Sequence, residues 1–189
     1  MTSKYSIVFM PDADWLEKIT TMKFQLSDLI GWYSSKNALG HITICEFEME
    51  EKNFPLVLKK LSQICDSLSS KKVFFDHYEA FESNGTFFIA PSSESKKYLS
   101  DLMKRINQSI LIKDKFTSNT PHLSIARKLT SEQMQVAFQT FQKISMEFHL
   151  KSLYVRRFNK SRKQYDVIHE IEFVGNDEVG ALFGQQSLF

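Results

Sequence analysis

The sequence predicts an α+β fold of two related lobes, each an antiparallel sheet with helices outside. Three observations predict it. Helical and strand patterns alternate along the chain. The order helix, loop, histidine-bearing strand, helix, strand pair occurs twice. The two histidines are 81 residues apart (41 to 122), a period too long and too rarely repeated for a solenoid. The 189 residues suit one medium domain, taken as residues 1–189, with two lobes sharing a core.

Tyr5 to Phe9 reads as a short buried strand. Asp12 or Asp14 can cap a helix to about residue 29, with Trp15, Leu16, Ile19, Met22, Phe24 and Leu26 as its apolar side. A polar loop, Ser34 to Asn37, leads through Gly40 into His41-Ile42-Thr43-Ile44-Cys45-Glu46-Phe47, β-branched and aromatic and so a strand. Phe54-Pro55 opens a second helix, and strands over 72–81 and 85–90 flank a Ser83-Asn84-Gly85 turn. A helix from Pro91-Ser92-Ser93 to about Ile112 follows. A polar stretch, Thr117 to Pro121, then leads to the strand His122-Leu123-Ser124-Ile125. Thr130-Ser131-Glu132 begins a helix to about 143, and strands over 146–158 and 164–174 close the pattern.

Chemistry resides in the paired motif. Residues i and i+2 of a strand share a face, so His41 lies with Thr43 and His122 with Ser124, backed by aliphatic residues. If the lobes meet along these faces, two imidazoles and two hydroxyls converge on one cleft. Cleaving a phosphodiester needs a base for the attacking water and an acid for the leaving oxygen. Imidazole titrates near 6.5 and can serve as either. Hydroxyls can donate to the non-bridging phosphate oxygens. No metal or other cofactor is required by this arrangement. One such motif is weak evidence, but two in matching contexts are not.

Composition narrows the classes. Hydrophobic residues at 42% and charged residues at 24% fit a soluble globular chain, and 17 phenylalanines supply a core with aromatics to spare for a ligand. A net charge of +2 does not by itself indicate nucleic acid. Its distribution is uneven: Lys151, Arg156, Arg157, Lys160, Arg162 and Lys163 fall within 151–163 without an acidic neighbour, as either a phosphate track or a solvated hairpin tip. Cys45 and Cys65 make no disulfide framework or metal spacing. The amino-terminal apolar run is too short for a secretory signal, and no window resembles a membrane span, so a cytoplasmic protein off the membrane is expected.

The motifs together resemble the two-histidine (2H) phosphoesterase superfamily, which includes the 2′-5′ RNA ligase/cyclic phosphodiesterases. His41-Ile42-Thr43-Ile44-Cys45-Glu46-Phe47 is similar to its first motif and Pro121-His122-Leu123-Ser124-Ile125-Ala126-Arg127 to its second. The resemblance spans Tyr5 to about Val174. It implies a bilobal, pseudo-symmetric fold with a central cleft, acting on 2′,3′-cyclic phosphates of RNA ends or nucleotides; a monomer is expected. It makes His41 and His122 the acid and base, and Thr43 and Ser124 phosphate binders. Phe47 would flank base or ribose, or else pack in the core. Arg127 would contact phosphate, although strict alternation puts it opposite His122 unless the strand ends or twists there. The glycine that often follows the first motif is absent, with Glu48-Met49-Glu50 after Phe47.

His77, His149 and His169 lack such a motif and read as structural or surface residues, and Tyr154 and Tyr165 read as core more than cleft. Competing classes are an RNA-binding module or RNA 2′-5′ ligase of the same fold with little hydrolysis, and a metal-dependent hydrolase. The last lacks a His-Asp cluster or HExxH spacing.

Overall fold

The structure, a computed structural model, describes residues 1–176. Its strands are β1 (Thr2–Phe9), β2 (Ile42–Glu50), β3 (Lys71–Phe81), β4 (Thr86–Pro91), β5 (Phe116–Thr117), β6 (Leu123–Ala126), β7 (Met146–Leu150), β8 (Ser152–Asn159) and β9 (Gln164–Glu172). Its helices are α1 (Ala13–Ile30), α2 (Phe54–Asp66), α3 (Ser93–Ser109) and α4 (Ser131–Thr140). Side chains set the helix starts. Asp12 accepts from the Trp15 amide at 3.1 Å, and Thr130 with Gln133 forms a reciprocal capping box, each such cap contributing about 1 kcal/mol. Helix α3 stops at Ser109, short of the expected 112, where the Lys115 ammonium donates to the carbonyls of Asn107 and Ile110.

Two antiparallel sheets result, in the orders β5-β2-β1-β8-β9 and β6-β4-β3-β7. Each histidine motif lies against its sheet's inner strand, β2 on β1 and β6 on β4. One sheet draws β1, β2, β5, β8 and β9 from both ends and the middle of the chain, and the other takes β3, β4, β6 and β7 from between them. The lobes are therefore interleaved, not consecutive.

This interleaving corrects the expected single strand over 146–158. The chain leaves one sheet after Leu150, passes Lys151 and enters the other at Ser152, because β7 pairs with β3 and β8 with β1. Ile7, Phe9, Ile42, Ile44, Leu61, Phe75, Phe87, Ile89, Leu123 and Ile125 fill the apolar core. Burying each such side chain contributes roughly 1.5–3 kcal/mol. Among the described residues, no helix is long and apolar enough to cross a membrane.

Candidate active site

Both motif strands carry an irregularity at the same place. Thr43 faces Val8 and Cys45 faces Ile7, which leaves Ile44 without a partner. Ser124 faces Phe88 and Ala126 faces Phe87, which leaves Ile125 without one. An extra residue of this kind, a β-bulge, reverses the alternation beyond it. The residue five positions after each histidine thereby returns to the histidine's face, and these residues are Glu46 and Arg127. The bulge, with β6 ending at Ala126, brings Arg127 into the cleft against strict alternation.

Between the lobes lies a cavity of about 820 Å³ whose wall includes His41, Glu46, His122, Arg127, Arg156 and Tyr165. The two expected histidines thus share one cavity. Thr43 is 7% exposed and Ser124 half-buried, each two residues along the strand from its histidine; neither forms the cavity wall itself. Phe47 takes the core alternative: it is 3% exposed and stacks on Tyr5 with ring centroids 5.7 Å apart. The bulge that brings Glu46 inward turns Phe47 away. The aromatics at the cavity are instead Phe81 and Phe116, the latter 61% exposed and paired across β5 and β2 with Glu46.

The imidazoles are held alike. His41 Nδ1 donates to the Leu39 carbonyl at 2.6 Å and His122 Nδ1 to the Thr120 carbonyl at 2.8 Å. A carbonyl only accepts, so each Nδ1 carries the proton and each Nε2 is left to exchange one. The ring of His122 also packs edge-on against Phe81, centroids 5.0 Å apart. Burial lowers both pKa values. For His41 the shift is large, reinforced by the charges of Arg156, Lys23 and Arg127; for His122, Arg127 adds to burial. In both, the carbonyl bond opposes the shift. The cleft thus holds neutral imidazoles in a positive field, a combination suited to an anion.

Several of these groups escape a linear reading. Lys23 lies on the buried stripe of α1 with Ile19, Leu26 and Ser27, and is 2% exposed. Its Nζ donates to the Ala38 carbonyl at 2.6 Å and more weakly to that of Ser35 at 3.4 Å. A lysine at helical spacing from Ile19 and Leu26 was the available signal. The basic run divides: Arg156 is 4% exposed and, with Lys163, lines the cavity, whereas Arg157 is exposed and Arg162 pairs with Asp166. Tyr165 reaches the cavity, while Tyr154 donates to Glu170 at 2.7 Å. His77 contacts Asp76 and Glu79, His149 is exposed, and His169 stacks on Phe54, all apart from the cavity wall. Among the described residues, no group of three or more His, Cys, Asp or Glu is placed to hold a metal ion.

The fold is shared with solved structures. TT0787 of Thermus thermophilus aligns with a TM-score of 0.65 at 12% identity, covering 92% of this chain and 99% of that one. E. coli LigT in apo form aligns at 0.63 and 9% identity, covering 92% and 98%. Kluyveromyces marxianus Usb1 aligns at 0.54 and 10% identity, covering 90% and 97%. No curated protein matches by sequence. Residues 10–162 match the 2′-5′ RNA ligase superfamily, and the chain belongs to that family.

Proposed function

We propose that this chain is a metal-independent phosphodiesterase that opens 2′,3′-cyclic phosphates of RNA ends or nucleotides. The observation that carries the reading is the matched pair of imidazoles on one cavity, each with Nδ1 committed to a carbonyl two residues upstream. One Nε2 takes a proton from water as its oxygen bonds to phosphorus. The other imidazole, protonated, gives its proton to the ribose oxygen as the phosphorus–oxygen bond breaks. Phosphate binding resolves how neutral imidazoles supply an acid. An anion beside Arg127 offsets the positive field and lifts the depressed pKa values, so one ring can hold a proton. Thr43 and Ser124 donate to the non-bridging oxygens, and Arg127 holds the same phosphate. Phe116 offers a face to a base.

The two lobes work as one unit, since each contributes one histidine. Structures of E. coli LigT complexed with 3′-AMP, NADP+, ATP and phosphate support a nucleotide in this cleft. The family also includes ligases, and attack by a 5′-hydroxyl in place of water is the same chemistry. The test is an assay of 2′,3′-cyclic mononucleotides, cyclic-phosphate-ended RNA, 2′,5′-linked oligonucleotides and cyclic ADP-ribose phosphate with the wild type and His41→Ala. Opening of a cyclic phosphate by the wild type, abolished in the variant, is expected. Equal rates in both would overturn the reading.

A further inference from the structure

Two polar atoms facing this cleft are buried: Arg156 Nε, without a hydrogen-bond partner, and the Tyr165 hydroxyl. They come from neighbouring strands of one sheet, β8 and β9, and they are positioned together. Arg156 Nη2 donates to Ser6 Oγ at 2.9 Å, and the guanidinium lies 5.1 Å from the Tyr165 ring centroid. One edge of the guanidinium is thus tied to β1 and one face rests on an aromatic, while Nε keeps a hydrogen to donate. The carboxylate facing them is Glu46, whose charge acts on both groups and whose side chain interacts with the Tyr165 hydroxyl, while Arg156 Nε stays unpaired; Glu46 also sits 3.9 Å from Lys4. Lys163 and Gln164, at the start of β9, continue the same wall.

A guanidinium buried this deeply, hydrogen-bonded to a hydroxyl and with only the charge of Glu46 nearby, is costly to a fold. A fixed guanidinium fork beside a phenol instead matches the oxygens of a phosphate. Its position differs from that of Arg127. Both imidazoles feel the charge of Arg127, whereas His41 alone feels Arg156. Arg156 therefore lies nearer to His41 than to His122.

We infer that Arg156 and Tyr165, with Lys163 at the rim, form a second phosphate subsite on the His41 side of the cleft. It binds a phosphate of the substrate other than the one being opened. The inference rests on the diesterase reading above for what occupies the neighbouring position. The second phosphate has two sources of like chemistry, the 5′-phosphate of a mononucleotide and the internucleotide phosphate of an RNA chain. Glu46 opposes it and limits how tightly either is held.

Binding without turnover tests this. Affinities are measured by titration calorimetry for adenosine 3′-monophosphate, adenosine 3′,5′-bisphosphate and a diadenosine dinucleotide ending in a 3′-phosphate. The wild type is expected to hold the bisphosphate, the dinucleotide, or both at least tenfold more tightly than the monophosphate; whichever gains identifies the source. Arg156→Met should bring that ratio close to one. Tyr165→Phe, which keeps the ring and removes the hydroxyl, should reduce it several-fold, and Glu46→Gln should enlarge it. A wild-type ratio near one for both ligands, or a ratio untouched in Tyr165→Phe and Arg156→Met alike, overturns the subsite. The two readings fail separately. If the ratio holds but no cyclic phosphate is opened, the subsite stands and the diesterase falls. If cyclic nucleotides are opened equally well with and without a second phosphate, the reverse is true.

Discussion

His41 Nδ1 and the carbonyl of Leu39 are joined by a 2.6 Å hydrogen bond, and the adjacent carbonyl, of Ala38, is held at the same distance by Lys23. Consecutive peptides of one short loop therefore orient the imidazole and receive a buried ammonium.

Replacing either imidazole should be severe. His41→Ala and His122→Ala are each expected to lower turnover by about 10²–10⁴, the usual worth of a positioned acid or base. The double variant should lose far less than the product of the two, because the pair acts as a unit. Single-turnover rates of the three variants check this; near-wild-type activity in either single variant would remove the two-histidine mechanism.

Lys23 links the loop to pH. Burial, with the charges of Arg127 and Arg156, lowers its pKa to about 8, and its charge acts on His41, the residue just before β2. Above pH 8 the ammonium becomes neutral and its hold on Ala38 weakens. A fall in kcat on the alkaline side with a midpoint near 8 is expected, displaced upward in Lys23→Arg and absent in Lys23→Met. A profile identical in all three proteins would show that the loop does not depend on this charge.

The depressed histidines predict the sign of acid sensitivity. In the unfolded chain they take up protons near pH 6.5, whereas the folded chain resists protonation until lower pH. Their contribution to stability is therefore complete above about 6.5 and is lost as pH falls toward the folded values, by at most about 1.4 kcal/mol per pH unit for each ring. Denaturant titrations across that window should show the slope, and His41→Gln should reduce it. Added inorganic phosphate should move the imidazole midpoints in an NMR titration upward; unmoved midpoints would mean that the anion does not enter the positive field.

Gly85 joins the turn after β3 to the chain just beyond Arg127. Its φ is +62°, the Leu129 amide donates to its carbonyl at 3.0 Å, and an added Cβ would collide with the Leu129 carbonyl oxygen. Relief requires backbone movement at the segment that places Arg127. Gly85→Ala should destabilise by more than about 2 kcal/mol, combining left-handed strain with the clash. Thermal unfolding measures it, and a change below about 0.5 kcal/mol would contradict the geometry.

A chelator should leave turnover unchanged, and added divalent metal should not raise it. The expectation rests on the donor set at the cleft, two imidazoles with Nδ1 already bonded to carbonyls and one nearby carboxylate, Glu46. Loss of activity with EDTA, restored by one particular metal, would assign the histidines to a metal instead.

Local chemistry was legible in the sequence: the caps at Asp12 and Thr130, and the two His-x-Thr/Ser strands with their aliphatic backing. What depends on distant pairing was not. The switch of sheets at Lys151 follows from partners β1 and β3, far away in the chain, and β5 is two residues that exist because β2 offers an edge. Arg156 looks like part of a solvated hairpin, and Tyr165 like core, until β8 is laid against β1 and β9 against β8. The bulges at Ile44 and Ile125 leave no mark in composition, yet they decide that Arg127 enters the cleft and Phe47 does not.

Those bulges also break the equivalence of the two halves. They bring corresponding positions into one cleft and fill them with opposite charges, a carboxylate at Glu46 and a guanidinium at Arg127. A scaffold with twofold regularity would accept a phosphodiester in either of two orientations. This one has a sense of direction: a diester bound as proposed would meet an acidic flank at one end and a basic flank at the other, so its two ester oxygens would no longer be interchangeable.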